Sequence, residues 1–355
     1  MDKSATIEEW LLKGPLWIPG ICDLVVEYAR GLTGTCVQKF GTHSPWTVTG
    51  LLVMHDGMLV STSMSLIHVW NISNGECLHT LTGHSDLVRC VGLLPDGKLV
   101  SGSSDQTVRV WDITEGRCVH TLAGHVDTVW ALALLNGRIA SASLDGTVRV
   151  WDVESGLTLM RLVGHSWYVV ALAVLEDDER LASGSWDTTV RVWDTSRGTC
   201  LHILTGHTSA VKALCALPGG QLASGSADYT VRVWDRGGVC LLILTEQTSI
   251  MPAMVSLPGG KLATCSTDET VRVWDVAQGL CLTTLQGHTG WVSAIVELRD
   301  GTLASASDDK TVRVWDLDTG DCIFILTRHI HALTSLVALP GGRLVTGSHR
   351  VCVWE

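Results

Sequence analysis

The sequence predicts an all-β protein, an eight-bladed β-propeller, and three observations carry that expectation. Tryptophans recur at positions 70, 111, 151, 193, 234, 274, 315 and 354, with spacings of 41, 40, 42, 41, 40, 41 and 39 residues. A period of about 40 in strand-like text marks four-stranded units repeated around a ring. Within each unit apolar residues alternate and are bounded by turn chemistry. The last observation concerns the two ends, which read as halves of one unit.

One full copy, GHSDLVRCVGLLPDGKLVSGSSDQTVRVWDITEGRCVHTL at residues 83–122, shows the grammar. The alternation in LVRCVGL, KLVSGS and TVRVWD predicts three strands, and RCVHTL predicts a fourth. PDG, SSDQ and TEG supply the turns. Four short antiparallel strands cannot bury both faces alone, so the copies must stack face to face. A chain of 355 residues exceeds one ordinary core, and such an array accounts for its length without two or three separate domains.

The phrase TCVQKFGTHS at 35–44 repeats as ECLHTLTGHS at 76–85, where a complete set of strands comes before it. At the other end RVCVWE, residues 350–355, stops where every earlier copy runs on into such a phrase. Counting inner strand triplets from Gly41-Thr42-His43 to Trp354 gives eight, of which seven are followed by an outer strand. Residues 35–40 are the eighth outer strand. In the family that these copies resemble, named below, such a strand pairs with the last triplet, which closes the ring and removes exposed sheet edges. The expected organisation is a helical segment over 1–33 and the propeller over 34–355.

The net charge of −11 is the wrong sign for a protein that gains affinity by neutralising phosphates, so no general nucleic-acid binding is expected. The strongest early apolar run, LWIPGI, is short and broken by Pro19, which argues against a signal peptide or a membrane span. Seven of the twelve cysteines, at 36, 77, 118, 200, 240, 281 and 322, occupy one repeated slot, and Thr158 fills the eighth. Equivalent slots on different copies lie too far apart to bridge, since a disulfide needs α-carbons within about 7 Å. Free small thiols predict a reducing compartment, the cytosol or nucleus.

The glycine-histidine and tryptophan-aspartate pairs of these copies resemble the WD-repeat β-propellers. Six copies keep both letters of the second pair, at Trp111, Trp151, Trp193, Trp234, Trp274 and Trp315, while the first has Trp70-Asn71 and the last Trp354-Glu355. In most copies a histidine, serine, aspartate and tryptophan stand at fixed offsets, as His84, Ser101, Asp105 and Trp111, or His207, Ser224, Asp228 and Trp234. Ser, His and Asp are also the parts of a hydrolase triad. An active site would not recur in every blade, however, and the set is similar to the structural tetrad of the family, in which a buried indole N–H finds its acceptor. One histidine per blade with no second ligand nearby likewise argues against a metal. The arginines two before each tryptophan, from Arg109 to Arg313, are read as structural. Three copies depart from the pattern: blade six has Glu246-Gln247 for Gly-His and Thr264 for Ser, blade eight has a shortened hinge after Thr346, and blade one has Ser65 at the aspartate position.

If repeated positions carry structure, function belongs where the repeats differ. The resemblance implies that positions three and five after the glycine-histidine pair, and the one before the hinge aspartate, face the upper rim of the central channel. Of the fifteen tryptophans, Trp46, Trp130, Trp186 and Trp291 fall on such positions and Trp167 is next to one. Tyr168, Arg89, Lys212 and Asp308 complete the candidate binding set. Aromatics clustered with an arginine are the composition of a protein-binding hot spot, and Trp130, Tyr168 and Trp186 on blades three and four form the candidate pocket. With two cations and Asp308, an apolar or aromatic peptide anchor fits better than a phosphopeptide. The competing reading is that these rings merely fill the channel wall.

Before the ring, Thr6 and Glu9 stand at capping-box spacing and Gly14-Pro15 ends a first helix. A second is predicted from Pro19, with Ile21, Leu24, Val25 and Tyr28 on one face and Gly31 as its stop. Such a face can pack on the propeller itself. IPGICDLVVEYA also resembles the opening of an F-box, which implies a substrate receptor of a ubiquitin ligase complex, although about 30 residues leave no room for the remaining helices of that motif. The functional expectation is therefore a non-enzymatic scaffold that binds a protein or peptide at its rim and uses no cofactor.

Overall fold

The computed structural model describes residues 36–40, 48–54, 57–176, 179–245, 249–298, 301–327, 329–339 and 342–354. The helices expected within 1–33, and Trp46, lie outside the described residues. The described chain forms eight four-stranded antiparallel sheets, each an up-and-down meander. Blade two is typical, with strands Val88–Leu93, Leu99–Ser103, Thr107–Asp112 and Arg117–Ala123 paired in that order. Blade eight takes three strands, Ser335–Ala338, Leu344–Gly347 and Val351–Trp354, from one end of the ring sequence. Its fourth, Cys36–Phe40, comes from the other and pairs antiparallel with Val351–Trp354. The split blade expected from the sequence is present.

The burial pattern explains why these segments are strands of a ring. Second strands such as Leu99–Ser103 are buried at every residue, because both faces meet a neighbouring blade, while outer strands such as Thr199–Leu204 alternate. Eight apolar clusters fill the spaces, and each draws on two adjacent blades. The cluster of Phe40, Val48, Leu51, Trp70, Val345 and Val353 joins blade eight to blade one, so the core is continuous around the ring. A hydrogen bond from Thr334 Oγ1 to the Val48 carbonyl at 2.6 Å tightens the same junction.

Blades two to seven turn after the second strand at a hinge whose geometry is repeated. In blade two Asp105 is followed by Gln106 at φ 71°, and Thr188, Tyr229, Glu269 and Lys310 take the same left-handed conformation in other blades. Blade three places Gly146 there, the residue for which that conformation is free of strain. Glycine at the start of a blade has a different cause. A Cβ on Gly124 would lie 2.8 Å from Arg149 Nη1 and 3.2 Å from the Trp151 ring, so only a hydrogen fits between them.

Candidate functional site

Two constellations stand out, one repeated and one not. In the repeated set, His84 Nδ1 lies 2.7 Å from Asp105 Oδ2, His84 Nε2 lies 2.7 Å from Ser101 Oγ, and Trp111 Nε1 donates to Ser101 Oγ at 2.7 Å. A carboxylate only accepts, so Nδ1 carries the proton. Nε2 then accepts from the serine hydroxyl, which in turn accepts from the indole. The chain is satisfied with a neutral imidazole, and burial does lower the His84 pKa against the pull of Asp105. The same bonds recur in blades three, four, five and seven. Asp105 also accepts from the backbone N–H of Ser85 and from the N–H and hydroxyl of Thr107, tying the blade entry to the hinge. Ser101 is fully buried with its oxygen committed on both sides, so it is a structural hydroxyl rather than a nucleophile. The arginines complete the arrangement: Arg109, Arg149, Arg191 and Arg313 lie 5.8–5.9 Å from the ring of their own blade's tryptophan.

The divergent blades solve the same problem differently. In blade six Trp274 Nε1 donates to Thr264 Oγ1 at 2.9 Å, and Arg272 turns to Asp268 at 2.8 Å, so the hinge carboxylate has a guanidinium partner. In blade eight Trp354 donates to Thr346, while the buried His329 Nε2 has no partner and burial pushes that imidazole down to about 4. Blade six is expected to be the looser of these sheets. Hydrogen exchange should show faster amides in Lys261–Cys265 than in Arg138–Ser143, and equal protection would contradict this.

The unrepeated set lies where the sequence expects it to vary. In six blades the residue before the hinge aspartate donates its N–H to the carbonyl three after the glycine-histidine position: Ser104 to Leu87, Leu144 to Thr128, Trp186 to Tyr168, Ala227 to Ala210, Thr267 to Ile250, and Asp308 to Trp291. That bond brings the candidate positions of one blade side by side. Blade four therefore gathers three rings: Tyr168 and Trp186 at 5.1 Å between centroids, and Trp167 at 5.9 Å from each. From blade five Lys212 reaches across, its Nζ 3.7 Å from the centre of the Trp186 ring. Arg89 of blade two lies 5.1 Å from the Trp130 ring of blade three, and its Nε donates to Ser104 at 2.9 Å.

Of the expected grouping, Tyr168 and Trp186 meet within blade four, and Trp130 lies beside Arg89. Among the described residues no ring contact joins Trp130 to Tyr168 or Trp186; the aromatic cluster belongs to blade four, and Trp130 belongs to Arg89. Trp130 and Trp186 are half-buried under cations rather than open. Among the described residues the exposed tryptophans are Trp291, at 39%, and Trp167, at 53%. Trp167 was missed as a candidate because its offset falls between the rim positions; its place in a run of two aromatics, Trp167-Tyr168, was the available signal.

Lys212 and Asp308 of this set are desolvated. Burial pushes the Lys212 amine down to about 7, leaving it partly neutral at physiological pH. Burial, with Asp309 beside it, pushes Asp308 up to about 6. Trp186 Nε1 is buried and has no acceptor among the described residues. Groups held away from their ordinary ionisation in a cluster of aromatic surface are candidates for recognition. No group of three or more His, Cys, Asp or Glu side chains among the described residues is arranged to hold a metal ion. No helix among them is long and apolar enough to cross a membrane.

A closed ring of eight four-stranded blades, five of them pinned by an Asp-His-Ser-Trp hydrogen-bond chain, defines a class of repeat propeller. Residues 75–112, 116–152, 156–194, 198–235, 238–275 and 279–316 match the family model described as WD domain, G-beta repeat, and together make up more than half of the chain. The protein belongs to the WD-repeat family. It is 55% identical over 40 residues to an uncharacterized WD repeat-containing protein, C126.01c, of Schizosaccharomyces pombe, a match spanning 11% of each chain. It is also similar to the crystal structure of the computationally designed Ika8 protein, at 31% identity and a TM-score of 0.81 over 89% of this chain and 98% of that one.

Proposed function

We propose that the ring is a non-enzymatic interaction scaffold that holds a protein or peptide partner at the aromatic cluster of blade four. Membership of the WD-repeat family supports the general role, since such propellers generally serve protein interaction. The observation that carries the particular site is the Trp167–Tyr168–Trp186 cluster, with Lys212 on one face and the Trp167 ring open to solvent. Rigid aromatic surface with little conformational entropy to lose is what anchors a partner at a hot spot. An apolar or aromatic anchor of the partner would stack on Trp167. Trp291 and Asp308 on blade seven, and Arg89 with Trp130, offer secondary contacts. A reducing compartment, cytosol or nucleus, is part of the same proposal, because the described cysteines are free thiols.

Affinity capture followed by mass spectrometry tests the site. The wild-type ring, a Trp167→Ala/Trp186→Ala variant and an Ile243→Ser control on an outer strand are compared. Partners retained by the control and lost by the double variant, with Tm lowered by no more than about 3 °C, are the expected result. A large fall in Tm would make these rings core residues, and unchanged capture would move the binding site elsewhere.

A further inference from the structure

The closing blade differs from the others at one repeated contact. Where a blade carries both the slot cysteine and the arginine two before its tryptophan, the two side chains usually meet. Arg109 Nη1 donates to Cys118 Sγ at 3.6 Å, Arg191 to Cys200 at 3.7 Å, Arg232 to Cys240 at 3.8 Å and Arg313 to Cys322 at 3.8 Å. Blade one replaces the arginine by His68, whose Nδ1 lies 3.9 Å from Cys77 Sγ. In blade eight the slot residue is Cys36 and the residue two before Trp354 is Cys352. The position that elsewhere presents a nitrogen to the slot thiol therefore presents a second thiol.

The strand register supports this equivalence. In blade two Trp111 pairs with Cys118, Val110 with His120 and Arg109 with Thr121, with a one-residue shift between. In the closing blade Trp354 pairs with Cys36, Val353 with Gln38 and Cys352 with Lys39, with the same shift. The two cysteines pack in one apolar cluster with Trp354, Cys352 at 7% exposure and Cys36 half-buried. Burial pushes the Cys352 thiol up to about 12, and the adjoining Cys36 thiol adds to that rise, while Lys39 and Arg350 act against it.

We propose that Cys36 and Cys352 are an oxidation site, joined by a disulfide that locks the closing blade when the protein meets a peroxide. The more exposed Cys36 reacts first. Its thiolate attacks a peroxide oxygen, the O–O bond breaks, and the departing hydroxide takes up a proton to leave as water, giving Cys36 sulfenic acid. The Cys352 sulfur then attacks the Cys36 sulfur. The S–S bond forms as the S–O bond breaks, and the hydroxide released takes the Cys352 proton. Two thiols lose two electrons and two protons, and hydrogen peroxide becomes two waters. The packing of both cysteines in one cluster on paired strands supplies the proximity that a protonated resolving thiol requires.

The link adds a covalent tie to a closure otherwise held by backbone hydrogen bonds and apolar packing. It also encloses nearly the whole ring in one loop, which restricts the unfolded chain more strongly than a short bridge does. Oxidation is therefore expected to raise Tm by about 5 °C. A reducing agent should reverse the change.

Treating the full chain with hydrogen peroxide and digesting it with trypsin without reduction tests the site directly. The expected product is GLTGTCVQK, residues 31–39, joined to VCVWE, residues 351–355, and lighter by two hydrogens than the separate peptides. Cys352→Arg, which installs the residue used at this position in blades two to seven, should fold, give no cross-link and lose the rise in Tm; Cys36→Ser should do the same. Separate recovery of the two peptides, with Cys36 carried on to sulfinic acid, would overturn the proposal. So would a Tm rise that Cys352→Arg retains.

Discussion

Replacing Trp151 by alanine is expected to lower the stability of the ring by about 3–5 kcal/mol, among the largest losses available from one side chain. Trp151 is 1% exposed and packs with Val100, Val110 and Leu122 of blade two as well as with Leu132 and Ile139 of its own blade. Its removal opens a cavity at an interface between blades, where neither sheet can collapse without drawing in the other. The indole N–H to Ser141 Oγ at 2.7 Å is lost with it. Phenylalanine separates the two contributions: it refills most of the space and leaves the serine with His125 alone, at a cost of about 1–2 kcal/mol. Urea unfolding of both variants measures the difference. An alanine variant less than about 1 kcal/mol below wild type would show that the ring face does not depend on this packing.

Asp228→Ala is expected to cost about 3–5 kcal/mol by a different route, because it strands donors rather than removing volume. The carboxylate accepts from His207 Nδ1 at 2.9 Å, from the backbone N–H groups of Thr208 and Thr230 at 2.9 Å, and from the Thr230 hydroxyl at 2.7 Å. Burial alone would raise its pKa, but the Thr230 hydroxyl, the Thr208 amide and His207 hold it below the usual carboxylate range. A carboxyl depressed in the folded state contributes stability that is complete above its unfolded value, about 4, and is lost as pH falls through the folded value. The gap between wild type and Asp228→Asn, full at pH 7, should therefore narrow below about pH 4. A gap independent of pH would mean that the carboxylate charge contributes nothing. The histidines act in the same direction earlier. Burial lowers the His207, His288 and His329 imidazoles, so their contribution is intact above about 6.5 and declines on acidification.

Most of the architecture was readable from the repeats because each copy states its own strands, turns and tetrad locally. His84, Ser101, Asp105 and Trp111 could be assigned together from their offsets, since a four-stranded meander fixes which residues face each other once its turns are known. The closing strand was legible for a related reason, as Cys36–Phe40 carries the text of an outer strand. The rim was legible only in part. The offsets identified Tyr168 and Trp186, which a backbone hydrogen bond brings together. They also grouped Trp130 with them, whereas its ring is matched with Arg89 of blade two.

What the sequence by itself determined was the number of blades, their closure and the chain of hydrogen bonds inside the five regular ones, because these follow from spacing within a copy. Only the tertiary structure decided that Lys212 lies on Trp186, that Trp167 is the exposed ring of the blade-four cluster, and that Cys352 stands where other blades reach the slot thiol with a nitrogen. Such contacts depend on how neighbouring sheets twist and stack, and on strand pairing between residues more than 300 apart in the chain. No spacing within one repeat encodes that geometry.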